Sequence, residues 1–120
     1  MPGLLVDILL DGGRADDAWL AARAHRCSEL VIERLARATE RSHLQDAITA
    51  YADLVEINIA RTQNQGYEAA CRFLGHLEGL RARHGQSAAH GAHIESLRVR
   101  HKAKRNLIRL LDQPSAWQKF

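Results

Sequence analysis

The chain has 120 residues, the length of one ordinary domain, and 46% of them are hydrophobic against 26% charged, which excludes a disordered polymer. Two prolines and eight glycines exclude collagen-like and low-complexity chains. The net charge of +3 conceals a polarity: residues 1–80 hold 8 Lys and Arg against 12 Asp and Glu, a net of −4, whereas residues 81–120 hold 9 against 2, a net of +7.

Periodicity and punctuation predict six helices. The first, about residues 4–10, sets Leu4, Leu5, Ile8 and Leu9 on one stripe. It is far shorter than the ~18 apolar residues of a membrane span and carries Asp7. It also lacks the basic start and small-residue cleavage site of a signal peptide. Asp11-Gly12-Gly13 ends it, because glycine accepts the left-handed conformation at a helix C-terminus without a Cβ clash. The second helix, about 14–24, places Asp16 and Asp17 where the helix dipole favours anions, with Ala15, Ala18, Trp19 and Ala22 facing inward. Ser28 is the expected N-cap of a third helix, about 29–39, lined by Val31, Leu35 and Ala38.

Ser42-His43-Leu44-Gln45 has capping-box spacing at the start of the fourth helix. Leu44, Ala47, Ile48, Tyr51, Val55, Asn58 and Ile59 then follow in steps of three and four, until Asn64-Gln65-Gly66 breaks the pattern. The fifth helix, about 66–83, turns Tyr67, Ala70, Cys71, Leu74 and Leu77 inward, flanked by Phe73 and Leu80. After His84-Gly85-Gln86-Ser87, a sixth helix over about 90–112 would carry Ile94, Leu97, Leu107, Ile108 and Leu111. No segment joins period-two alternation to hairpin turns, so an all-α fold is expected. Residues 1–112 form the expected domain and 113–120 a tail, in which Trp117 and Phe120 either dock or fray.

The segments are weakly self-similar. Ala18, Ala47 and Ala70 each follow Ala15, Leu44 and Tyr67 by three residues, a spacing that suits close helix crossings in stacked hairpins. Gly13-Arg14-Ala15-Asp16-Asp17-Ala18 and Gly66-Tyr67-Glu68-Ala69-Ala70 resemble the second helix of a tetratricopeptide-type hairpin. A wider resemblance covers about residues 8–112. Asp46-Ala47, Tyr51, Val55, Ile59, Leu74, Leu77, Leu97-Arg98, His101-Lys102-Ala103-Lys104-Arg105 and Leu107 are similar to the helical C-terminal region of bacterial SWIM zinc-finger proteins.

That resemblance implies antiparallel TPR-like hairpins and recognition of protein or DNA. The family's finger chelates zinc through Cys-x-Cys and a later Cys-x-His, and this chain has no Cys-x-Cys, so no zinc ligand carries over. The chain is then either a fragment of a longer zinc-finger protein, which the start at Met1-Pro2-Gly3 favours, or a stand-alone helical domain.

Arg98, Lys102, Arg105 and Arg109 fall at steps of four, three and four, one stripe on the sixth helix. Such a stripe serves as a solvated or internally paired face, as a protein docking surface, or as a track for nucleic-acid phosphates. No aromatic residue interleaves with it as a stacking platform would. His90 and His93 share a helix face, but His101 lies about 12 Å further along and no carboxylate or cysteine completes a metal set. His25 and Cys27, two apart, do not face each other, and Cys71 reads as a small buried hydrophobe. Two cysteines allow at most one disulfide, so free thiols in the cytoplasm are expected.

Asp16, Asp17, Glu29 and Glu33 read as helix-start residues, and no phosphate-binding loop is present. The expectation is a non-enzymatic protein-interaction module with no cofactor and no metal, with a nucleic-acid-binding accessory domain as the alternative.

Overall fold

A computed structural model describes residues 2–25 and 27–113. Among the described residues there are seven α-helices and no strand: α1 (Pro2–Asp11), α2 (Ala15–Ala24), α3 (Glu29–Ala38), α4 (Leu44–Ala60), α5 (Asn64–Arg83), α6 (Ser87–Arg100) and α7 (Arg105–Leu111). They form two compact units, residues 1–51 and 52–120, with the boundary inside α4. The tail expected around Trp117 and Phe120 lies, from residue 114 on, outside the described residues.

In the first unit α1 packs on α2 and α3. Gly13, at φ +73°, ends α1 in the left-handed conformation that glycine allows. Among the described side chains of α1 the buried one is Val6, 1% exposed, whereas Leu4 and Ile8 of the expected inner stripe are about three-fifths exposed (60% and 59%). Two contacts with α3 accompany this rotation. Gly3 brings the backbone against α3, where an added Cβ would lie 3.0 Å from Val31 Cγ2, and Arg34 Nη1 donates to both Asp7 oxygens at 2.7 and 2.6 Å.

Ala18, Trp19 and Ala22 are buried on α2. The Trp19 indole N–H donates to Thr39 Oγ1 at 3.1 Å, and that hydroxyl donates to the Leu35 carbonyl at 2.7 Å, so the polar edge of the ring enters the core satisfied. Ser28 caps α3 by accepting from the Val31 amide at 3.3 Å. Leu35 and Ala36, not Ala38, are the residues α3 buries. Ser42 does not cap α4: the helix begins at Leu44, and the Ser42 hydroxyl meets His43 Nδ1 at 2.8 Å. His43 Nε2 reaches Asp16, and the buried Tyr51 donates its O–H to Glu40 Oε2 at 2.6 Å.

In the second unit α5 packs on α6 and α7. Leu54, Val55, Asn58 and Ile59 of α4 are buried, as are Tyr67, Ala70, Cys71, Phe73, Leu74, Leu77 and Leu80 of α5. The chain reverses between these helices at Thr62, φ +53°, so α5 starts at Asn64 and Gly66 lies inside it. Gly66 is a close-approach residue, since a Cβ there would lie 2.4 Å from the Asn58 carbonyl oxygen.

The expected sixth helix is two helices. Between Leu97 and Leu107 the inward positions three, four and seven residues on are Arg100, His101 and Lys104, which a straight helix would have to bury. The chain turns at residues 101–104 instead, α7 restarts at Arg105, and Leu107 and Leu111 are buried. No helix among the described residues is long and apolar enough to cross a membrane.

Candidate interaction surface

The break in the sixth helix redistributes the basic residues. Arg98, still on α6, is drawn towards α7: Nη1 donates to Asp112, Nη2 approaches the Leu111 carbonyl at 3.4 Å, and Nε stands 3.6 Å from Glu95. Arg100 pairs with Glu56 of α4 at 2.7 Å, and His101 Nε2 reaches the other Glu56 oxygen at 3.2 Å. Burial opposes ionisation of Glu56, but hydrogen bonds from Arg100 and His101 outweigh it and hold the carboxyl below its usual range.

The remaining cations are different. Lys102 is exposed in the turn, Lys104 is half-buried just before α7, and Arg105 and Arg109 are exposed on α7. Among the described residues, no carboxylate stands within ion-pair distance of any of these four. Arg109 donates to Asn106 Oδ1 at 3.0 Å, and Asn106 in turn donates to Asn64 Oδ1 at 3.1 Å. Asn64, Glu68, Asn106, Arg109 and Leu110 border a shallow recess of about 270 Å³. Of the expected stripe, therefore, Lys102, Arg105 and Arg109 remain available around the α6–α7 turn, and Arg98 is engaged internally.

A second polar cluster lies between α5 and α6. Arg81 is 7% exposed, and its Nη1 donates to Nδ1 of both His90 and His93 at 3.0 Å. Two Nδ1 acceptors imply that both rings carry their proton on Nε2. The rings meet edge to face, 6.5 Å between centroids, and His90 Nε2 lies 3.8 Å from Glu78. The histidine pair thus solvates a buried guanidinium. Among the described residues no three of His, Cys, Asp and Glu gather as metal ligands. Arg81 continues the inward stripe of Leu74 and Leu77, and a charge at that register was the signal that sequence reading passed over.

Burial, followed by the Arg81 and His93 charges, lowers the His90 pKa from 6.5 to about 4, and burial and Arg81 lower His93 as well. The unfolded chain therefore takes up more protons than the folded one as pH falls. Stability is complete above about pH 6.5 and declines as pH drops through 6.5 towards 4. Urea midpoints measured across that window are expected to show the loss, and His90→Gln, which keeps an acceptor for Arg81 but does not titrate, is expected to flatten it. An equally steep decline in His90→Gln would contradict the assignment.

Of the two cysteines, Cys71 is placed where its thiol is held protonated. Cys71 is fully buried, and burial followed by the Glu68 charge pushes its thiol up to about 12. Cys27 lies in the link between α2 and α3, and His25 is the residue directly after α2. No family model, no curated protein and no solved structure matches this chain.

Proposed function

We propose that the chain is a non-enzymatic protein-interaction module that docks an acidic partner on the α6–α7 turn through Lys102, Arg105 and Arg109, with Lys104 beside them. The observation that carries this reading is their lack of a carboxylate partner among the described residues, while Arg98, Arg100 and His101 next to them are paired. Exposed cations already held by carboxylates offer little to a ligand; cations left open attract opposite charge and steer its approach. In this reading the helices pair as TPR-like hairpins, the chain is akin to the helical region that accompanies SWIM zinc fingers, and it works in the cytoplasm. The likeness of Tyr51, Tyr67-Glu68-Ala69-Ala70 and Leu107 to that family's packing pattern supports it.

The test is binding of a fluorescent glutamate-rich peptide at low ionic strength. Lys102→Glu combined with Arg105→Glu and Arg109→Glu is expected to weaken binding by tenfold or more, which is about 1.4 kcal/mol or more. Arg98→Gln is expected to change it by less than about twofold, since rim charges already paired contribute little. Duplex and single-stranded nucleic acids serve as competing probes. Tight, steeply salt-dependent binding to them with none to the peptide would replace this reading with nucleic-acid recognition.

A further inference from the structure

The two halves of α6 are fastened by contacts of different kinds. Its buried residues are His90 and Leu97. From Ser87 to His93 the largest apolar side chain is that of alanine, Gly91 weakens the helix, and Gln86 at the N-cap makes no side-chain hydrogen bond to it. Residues 87–89, 91 and 92 are exposed, so what this half sets against α5 is His90 and His93 on Arg81. The other half buries Leu97, turns Arg98 to Asp112 and pairs Arg100 with Glu56. Glu56 keeps its charge to lower pH than an ordinary carboxylate, so mild acid leaves that half fastened.

The first half is fastened by a bond that acid removes. A guanidinium stays protonated, and Arg81 Nη1 donates at 3.0 Å to Nδ1 of both rings. Each ring accepts with the lone pair that a second proton would occupy. An imidazolium therefore presents an N–H where the acceptor stood, and a second positive charge beside Arg81. The surrounding charges do not offset this. Glu78 of α5, 3.8 Å from His90 Nε2, is 54% exposed and screened by water. Glu56 of α4 acts on His93, but Arg100 of α6 opposes it and already holds that carboxylate.

We propose that Arg81, His90 and His93 form an acid-released latch: protonation of the histidines frees residues 87–94 of α6 from α5, while α5, α7 and the Leu97 end of α6 stay folded. α5 also packs on α7, whose Leu107 and Leu111 are buried, so that core does not hang on the latch. Burial and the Arg81 charge keep both rings neutral below their usual range when the latch is closed. Freed rings regain an ordinary pKa, so opening takes up protons. The ratio of open to closed chains rises as pH falls below about 6.5, by up to about tenfold per pH unit for each proton.

A nuclear magnetic resonance titration of the full chain from about pH 7.5 to about pH 3.5 tests it, with ¹³Cα shifts reporting helix residue by residue. Residues 87–94 are expected to lose helical shifts between about pH 6.5 and about pH 4, in step with the His90 and His93 ring nitrogens, while α5 and α7 keep theirs. His90→Gln with His93→Gln leaves carbonyl acceptors that take up no proton. At about pH 4 it is expected to hold residues 87–94 helical, with amide protection there tenfold or more above that of wild type.

Simultaneous loss of α5, α6 and α7 in wild type would mean global acid unfolding and overturn the latch. Ring nitrogens that titrate while residues 87–94 stay helical would overturn it as well, as would a double variant that opens at the same pH as wild type.

Discussion

Gly66→Ala is expected to lower the unfolding free energy by about 3 kcal/mol, although alanine is the better helix former. The added Cβ would lie 2.4 Å from the Asn58 carbonyl oxygen, and 3.4 Å from Arg61 Cβ. The first of these is backbone, so no side chain can swing away and α5 itself must move. The Asn58 carbonyl also accepts from the Arg61 amide at 3.3 Å, while the Asn58 side chain donates to the Leu54 carbonyl and accepts from Arg61, both at 2.8 Å. Displacing α5 therefore strains the end of α4 as well.

Gly79 supplies the control from the same helix. A Cβ there meets nothing within 4 Å, so Gly79→Ala is expected to raise stability by about 1 kcal/mol. Urea unfolding followed by far-ultraviolet circular dichroism reads both. Equal signs for the two substitutions would show that α4 and α5 do not meet at Gly66.

Trp19→Ala is expected to cost about 4 kcal/mol, the range for deleting a buried aromatic side chain. The ring is 5% exposed, and its loss also leaves Thr39, 2% exposed, without the indole donor. Trp19→Phe is expected to cost less, about 2 kcal/mol, because much of the apolar volume stays while the hydrogen bond goes. Thr39→Val isolates the polar term: it strands a buried N–H and is expected to cost about 1–3 kcal/mol. A Trp19→Ala loss below about 1 kcal/mol would place that ring on the surface.

The faces of α4 and α5 were legible because each helix has one apolar side and one charged side, so the phase of Ala47, Tyr51 and Val55, or of Tyr67, Cys71 and Leu74, has a single solution. α1 has no such contrast. It is apolar almost all round, and the burial of Val6 rather than Leu4 and Ile8 accompanies the approach at Gly3 and the Asp7–Arg34 pair, contacts with a helix more than twenty residues away. The break after Arg100 escaped periodicity because Ile94, Leu97, Ile108 and Leu111 stay on one face of an uninterrupted helix. The missing apolar residues at 100, 101 and 104 were the visible sign of it. The basic residues were legible as a set, but their division into paired and open cations was not, since Asp112 and Glu56 reach them only after the chain has turned. Likewise His90 and His93 were visible as a pair, whereas the buried Arg81 between them comes from a different helix.

The most direct measurement of the central claim, that open cations at the α6–α7 turn make this chain a recognition module, is a nuclear magnetic resonance titration of the labelled chain with the glutamate-rich peptide. The account predicts saturable shifts concentrated at the amides of residues 101–110 and suppressed by salt, with α1 to α3 unmoved. Shifts confined to α1 to α3, or no shifts at low ionic strength, would contradict it.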